Sequence, residues 1–506
     1  MAGLMMTGVE CAPHSQVRGA EIEKVRDAGV AGSFYPADPA ALTAMMDAML
    51  AQVTLPPING QILAVVAPHA GYPYSGPVAA YTYAALKGHK YARVVVIAPS
   101  HYEAFDFSSV YDGDGYATPL GTVPVDREFS AKLAKMDATI HLSERGHKAT
   151  PAGAEHALEV QLPWLQHVLG DFKLVPVVMG DQSYESSRAL GVSLAKLLLH
   201  NEKAHGHGGS QEPPDDTLIV ASSDMSHYHT YDDAEKIDRK TLNAIQAYDY
   251  LSMSRNFETR VWEACGGGPI VAAMIAAERM GANQAQVLKY ENSGDTSGIR
   301  SRVVGYGSDV FVKAPGGKAA EAAYALTDHE KEELLALARK SVEHAVEKHE
   351  ALPTEASTDA VLNQEQGAFV TLTEDGSLRG CVGFTAAFEP LYLAVRDAAA
   401  NAALNDPRFR PVAVWELPKL EYEISVLSPM RHILDAQEVV VGEHGLLMKR
   451  GNREGLLLPQ VAVEQGWDRV RFLEGTCSKA GLPEGCWRDE DTDIFRFTAV
   501  VFGRHK

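Results

Sequence analysis

Cysteine is scarce in this chain: five in 506 residues, at Cys11, Cys265, Cys381, Cys477 and Cys486. A set that sparse and odd in number excludes a disulfide framework and fits a reducing cytoplasm. Cys477 and Cys486, nine apart and without CxxC spacing, also do not form a structural zinc site. Basic residues are outnumbered, with 46 Lys+Arg against 66 Asp+Glu for a formal charge of -20. That charge repels a phosphate backbone, so no nucleic-acid partner is expected. Long apolar runs are missing too. No uninterrupted stretch of about 18 apolar residues occurs, and the opening MAGLMMTGVECAPHSQVRGAEIEK has no basic region leading into an apolar core. Neither secretion nor a membrane span is expected, and residues 1–26 read as a loose leader.

What is present is globular: 46% hydrophobic and 22% charged residues, in a chain too long for one core. From Gly29 onward, uncharged β-rich runs alternate with helical patterns. The runs are ILAVVAP (62–68), ARVVVIAP (92–99), FKLVPVVMG (172–180) and TLIVASS (217–223); helices are expected at 77–87, 156–169 and 186–200. Such alternation predicts a layered α/β domain whose sheet is covered on both faces, closing with a last pair of extended stretches that end at Lys313. A Gly/Ala/Pro-rich linker follows at 314–326. Thr327 with Glu330 then forms a capping-box start to a long amphipathic helix. Beyond it, a hairpin around Glu374-Asp375-Gly376, an Ala-rich helix at 389–404 and the strand LEYEISVLSPM make an α+β domain over 327–506. The loop HNEKAHGHGGSQEPPDD (200–216) holds three histidines, but its Gly, Pro and acidic residues read as a solvated insertion with no catalytic role.

Ligands of open α/β sheets collect beyond the carboxyl ends of the strands. Three strands of the first domain run into metal-capable side chains there: His69 after 62–68, His101 after 92–99, and Asp224 with His227 after 217–223. A single such histidine is commonly a satisfied loop residue; three strand ends together point to a site. Cys265 follows in EACGGGPIVAAM, where a thiol at a helix N-terminus is more easily held as thiolate, or is simply a small residue at a tight turn. Glu263 is the substitute carboxylate. His156, at the start of its expected helix, is either a helix-terminal residue or an acid/base next to the site. Cys381 lies beside Arg379, which would lower its pKa and make it a nucleophile; the other reading is a buried strand cysteine.

PHAGYPYSGPVAA, APSHY, AEHALEVQLPWL, SSDMSHY and CGGGPI, in this order over residues 27–313, resemble the Memo family, whose fold is related to the class III extradiol dioxygenases. The resemblance implies His69, His101 and Cys265 as metal ligands, with Asp224, His227 and His156 around them as catalytic groups. Tyr72 and Tyr102, next to the two histidines, become candidate substrate contacts. GAFVTLTEDGSLRGCVGF, NAALNDPRFRPV and KAGLPEGCW, over 327–503, resemble the AMMECR family. In bacteria and archaea such proteins resemble parts of a three-component system, with a radical S-adenosylmethionine protein as a possible partner.

The function these residues imply is a metal-dependent oxidoreductase, dioxygenase-like, acting on a small hydroxyaromatic or similarly chelating substrate. Fe(II) suits two imidazoles and one anion, and Cu or Zn would also accept the set. Two other readings use the same residues: a metal-independent isomerase or hydrolase built on the His/Asp pocket, and a non-enzymatic module that binds a partner protein. The fusion further suggests that Cys381 and Arg379 face the mouth of the metal site and bind substrate there, against the plainer reading of an acid-paired arginine and a core cysteine.

Overall fold

A computed structural model of the chain describes residues 24–150, 153–205, 217–316, 324–355 and 357–503. Nearly all of the 1–26 leader and most of the 200–216 loop lie outside the described residues, as does the middle of the 314–326 linker.

The four apolar runs form the centre of a nine-stranded sheet: Gln61–Ala67, Thr217–Ser222, Arg93–Pro99 and Lys173–Met179 lie side by side in that order, all parallel. Successive residues point to opposite faces, so each strand feeds two cores. Val95, Ile97, Val175, Val177, Ile219 and Ala221 pack on one face against helices Tyr184–His205 and Gly267–Arg279. Val94, Val96, Leu174, Leu218 and Val220 pack on the other, with helices Tyr72–Leu86 and Gln161–Leu169. The last pair of extended stretches is Gln284–Asn292 and Val303–Lys313, antiparallel, and the latter pairs with Gln61–Ala67.

One expected helix starts late. It begins at Gln161, not at 156, because the Glu155 carboxylate takes the backbone N–H groups of His156 (2.9 Å) and Ala157 (3.1 Å) and holds a turn there. The second domain opens as expected: Thr327 caps helix Asp328–Lys348, with Glu330 reaching back to the Thr327 N–H. Asp375 (φ 53°) and Gly376 (φ 75°) turn the hairpin between Ala368–Glu374 and Ser377–Phe384, the left-handed pair that a two-residue turn requires. The domain holds two four-stranded antiparallel sheets. Cys477 and Cys486, both fully buried, are joined by a disulfide, a bridge that spacing did not reveal.

The domains share a core. Leu427, Met430, Leu447, Leu458, Phe495 and Phe497 of the second domain belong to the same apolar cluster as one face of the first domain's sheet. Inside this interface Asp493 meets Arg188 (2.6 Å), Arg279 (3.3 Å) and the Tyr184 hydroxyl (2.8 Å). His432 bridges it to Glu278, at 3.6 and 3.0 Å. No described helix is long and apolar enough to cross a membrane.

Candidate metal centre

Because the strands ending in Ala67, Ser222 and Pro99 are neighbours, their following residues meet. His69 and His101 approach with ring centroids 5.1 Å apart. His156, carried by the turn after Glu155, stacks on His101 at 4.9 Å and lies 5.6 Å from His69. One nitrogen from each of the three falls within 4.8 Å of the other two, and among the described residues this is the single group of three or more His, Cys, Asp or Glu side chains so arranged.

Neighbouring groups fix the imidazole tautomers. The Ser222 hydroxyl gives its proton to the Ala157 carbonyl (2.5 Å) and takes the Gln161 Nε2–H (2.7 Å), so toward His69 Nδ1 (3.0 Å) it accepts. His69 Nδ1 therefore carries the hydrogen and Nε2 is bare. The Glu155 carboxylate does the same for His101, contacting Nδ1 at 3.0 Å and the backbone N–H at 2.6 Å. Burial opposes the Glu155 charge, but the His101 contacts outweigh it and bring its pKa down to about 2. His156 Nδ1 is buried without a hydrogen bond, with Glu155 Oε1 4.0 Å away. Burial, with the His69 and His101 rings next, lowers the His156 pKa to about 4; burial and then His101 put His69 well below the usual histidine value. Converging imidazoles with oriented nitrogens, one of them orphaned, suit a transition-metal ion.

Cys265 sits against this group through His69, its Sγ 3.0 Å from Nε2 and 3.2 Å from the Asp224 N–H. Burial first, and the Asp224 charge second, raise the Cys265 pKa well above the free value, opposite to the lowering expected from a helix N-terminus alone. The helix begins two residues later, and its end does not offset that burial. Each glycine of CGGG answers a close approach. A Cβ on Gly266 would stand 2.3 Å from the Ser222 carbonyl, on Gly267 2.6 Å from Phe257, and on Gly268 2.7 Å from Gln182. Asp224, buried, accepts the N–H groups of His69 (2.7 Å) and Ala70 (3.3 Å), and burial raises its pKa. His227 Nδ1 lies 2.9 Å from the Met225 carbonyl, which can only accept; Nδ1 carries the hydrogen and Nε2 is free. Glu263 is engaged by His229 Nε2 at 2.9 Å.

Tyr102, 36% exposed, has its ring 6.4 Å from His101 and 6.1 Å from His156. Tyr72 does not face the site: it is buried between Tyr35 and Trp164, and its hydroxyl donates to the Val160 carbonyl at 2.7 Å. Arg379 is also placed elsewhere. A buried guanidinium must satisfy its donors, and Glu416 (2.9 Å) with the carbonyls of Arg410 and Pro411 does so. Cys381 lines a separate cavity of about 520 Å³ inside the second domain with Thr371, Arg408 and Glu423, and burial raises its pKa. Sequence reasoning gave no role to Glu155, Gln161 or Ser222. The carboxylate directly before His156 was the visible signal for the first; the other two act across long sequence separations.

Residues 26–310 match the family model described as Memo-like protein. The chain belongs to the Memo family. Residues 335–502 match AMMECR1, so a Memo domain is fused here to an AMMECR1 domain. A MEMO1 family protein of Methanopyrus kandleri is 36% identical over 295 residues, covering 56% of this chain and 98% of its own. One from Methanothermobacter thermautotrophicus is 35% identical over 289 residues, again 56% and 98%. Among solved structures, an uncharacterized protein of Pyrococcus horikoshii is 40% identical and covers 36% of this chain and 94% of its own, with a TM-score of 0.35.

Proposed function

We propose that this Memo-family chain is a metal-dependent oxidoreductase, dioxygenase-like, acting on a small hydroxyaromatic or otherwise chelating substrate. The observation that carries the reading is the triad His69, His101 and His156, with two tautomers set by Ser222 and Glu155 and a third ring whose buried Nδ1 has no partner. The ligand set is His69, His101 and His156. Cys265, expected as a ligand, is the adjacent donor, and its 3.0 Å approach to His69 Nε2 favours a second reading in which the thiol replaces His156. A bound ferrous ion would supply Lewis acidity and dioxygen chemistry, which Cu or Zn would supply in part.

The remaining roles belong to side chains of the chain itself. Glu155 and Ser222 orient the imidazoles. Tyr102 borders the opening through which an aromatic substrate enters. His227, with Nε2 free, takes the proton of a substrate hydroxyl, and buried Asp224 holds the strand end in place through the His69 and Ala70 N–H groups. A radical S-adenosylmethionine protein remains a proposed partner.

The test is oxygen uptake by protein reconstituted anaerobically with iron(II), on a panel of catechols and pyrogallols. Uptake abolished by chelation, restored by iron and lowered about 10²–10⁴-fold in His227→Gln supports the reading. Turnover that survives chelation replaces it with the metal-independent isomerase or hydrolase.

A further inference from the structure

The loop that carries Cys265 joins helix Tyr250–Glu258 to helix Gly267–Arg279 and is held from two sides. On the inner side the Cys265 N–H donates to the Asp224 carbonyl (3.2 Å) and the Gly266 N–H to Ser223 Oγ (3.0 Å). On the outer side stands the second domain. Trp262, three residues before the cysteine and 5% exposed, donates its indole N–H to Glu365 Oε2 at 3.3 Å. The other Glu365 oxygen meets Lys240 at 2.5 Å. Arg255, in the helix that leads into the loop, donates to Thr385 Oγ1 (2.7 Å) and pairs with Glu454 (2.6 Å).

The packing around Trp262 decides what that hydrogen bond does. Trp262, Lys240 and Glu365 border an interdomain cleft of about 760 Å³. Trp262 also belongs to the buried apolar cluster of the first domain, so its ring is held by its neighbours, and the Glu365 contact fixes the polar edge that meets the cleft. Two residues, Glu263 and Ala264, link that ring to the cysteine, and Glu263 is tied to His229. A swing of the indole would therefore be passed to the thiol.

We propose that Glu365 is a positioning residue supplied by the AMMECR1 domain: through Trp262 it sets where Cys265 stands against His69, and so couples domain docking to the centre of the first domain. The inference concerns the thiol's placement and stands apart from whether the centre holds iron.

The experiment uses the full chain, treated with chelator, in a Cys11→Ser, Cys381→Ser background, so that Cys265 is the reactive thiol besides the Cys477–Cys486 disulfide. The rate of reaction with Ellman's reagent is compared among Glu365→Leu, Glu365→Gln, Trp262→Phe and the unaltered background. Removing one hydrogen bond corresponds to about a tenfold change in opening, so Glu365→Leu and Trp262→Phe should each react about tenfold faster. Glu365→Gln, which keeps a carbonyl acceptor, should stay within about twofold, a rescue that a general loss of packing would not show. An unchanged rate in Trp262→Phe overturns the proposal, even where Glu365→Leu fails to fold. Acceleration by Glu365→Gln equal to that by Glu365→Leu overturns it as well. Because the labelling is done without metal, failure to bind iron would refute the proposed function and leave this result readable.

Discussion

Replacing Asp493 by Asn should loosen the domain interface without unfolding either domain. Asp493, 3% exposed at its side chain, is the anion that faces Arg188 and Arg279 of the first domain, with Tyr184 donating to it and His432 3.6 Å away. Asn keeps the shape and removes the charge, leaving two largely buried guanidinium groups opposite a neutral amide. Breaking a buried ion pair from one side costs about 3–5 kcal/mol. Arg188 and Arg279 keep 14% and 17% exposure, so water reaches them and the lower end, roughly 3 kcal/mol, applies. The apolar contacts of Phe495, Phe497 and Leu447 remain and limit the effect to docking.

The interface should also respond to pH. Burial opposes the Asp493 charge, but the His432 and Arg188 contacts outweigh it and depress its pKa, so its contribution is present above the free value of 3.8 and is lost as pH falls below it. His432 is raised, since Glu278 and then Asp493 outweigh its burial. Its contribution is complete below the free value of 6.5 and is lost as pH rises through the folded value. Docking is therefore strongest between about pH 4 and 6.5. A double-mutant cycle of Asp493→Asn with Arg188→Met, followed by urea unfolding at pH 6, should return a coupling of at least about 2 kcal/mol. A coupling under about 0.5 kcal/mol would refute the reasoning.

Three further outcomes follow from single sites. Asp309 is fully buried in the central sheet with neither oxygen hydrogen-bonded, and burial raises its pKa well above 3.8. A raised carboxyl costs stability increasingly as pH climbs above the free value, so Asp309→Asn should raise the melting temperature more at pH 8 than at pH 5, with a gain of up to about 1.4 kcal/mol per pH unit; an equal gain at both pH values contradicts this. Glu155→Gln removes the carboxylate that fixes the His101 tautomer and should weaken metal affinity about 10–100-fold in chelator competition, whereas unchanged affinity would show that Glu155 does not orient the ring. Gly266→Ala places a methyl 2.3 Å from the Ser222 carbonyl and should cost about 1–3 kcal/mol in thermal unfolding; a neutral result means that the loop moves aside.

The strands were legible because each is a short apolar run with no charge, and a doubly covered parallel sheet follows from several such runs alternating with helices. The strand-end rule then placed His69 and His101 side by side, since the order Gln61–Ala67, Thr217–Ser222, Arg93–Pro99 makes their tips neighbours. The Thr327 cap and the Asp375-Gly376 turn were legible for a different reason: both are local chemistry. What could not be read depends on distance in the chain. The His69–Ser222 contact spans 153 residues and Ser222–Gln161 another 61, and the acid-paired reading of Arg379 held, but its partner Glu416, 37 residues away, could not be named from sequence. Tyr72 misled because its place after a strand-end histidine resembles a site position, while the first turn of its helix turns the ring into the core. At Cys265 the helix start is visible in sequence, whereas the burial that raises its pKa is not.

Metal content tests the central claim most directly. Full-length protein loaded anaerobically with iron(II), desalted and analysed by mass spectrometry should carry about one ion per chain. His69→Ala, His101→Ala and His156→Ala should each retain under about a tenth of that, while Cys381→Ala and Tyr72→Phe keep it all. Stoichiometric iron in all three histidine variants would contradict the account.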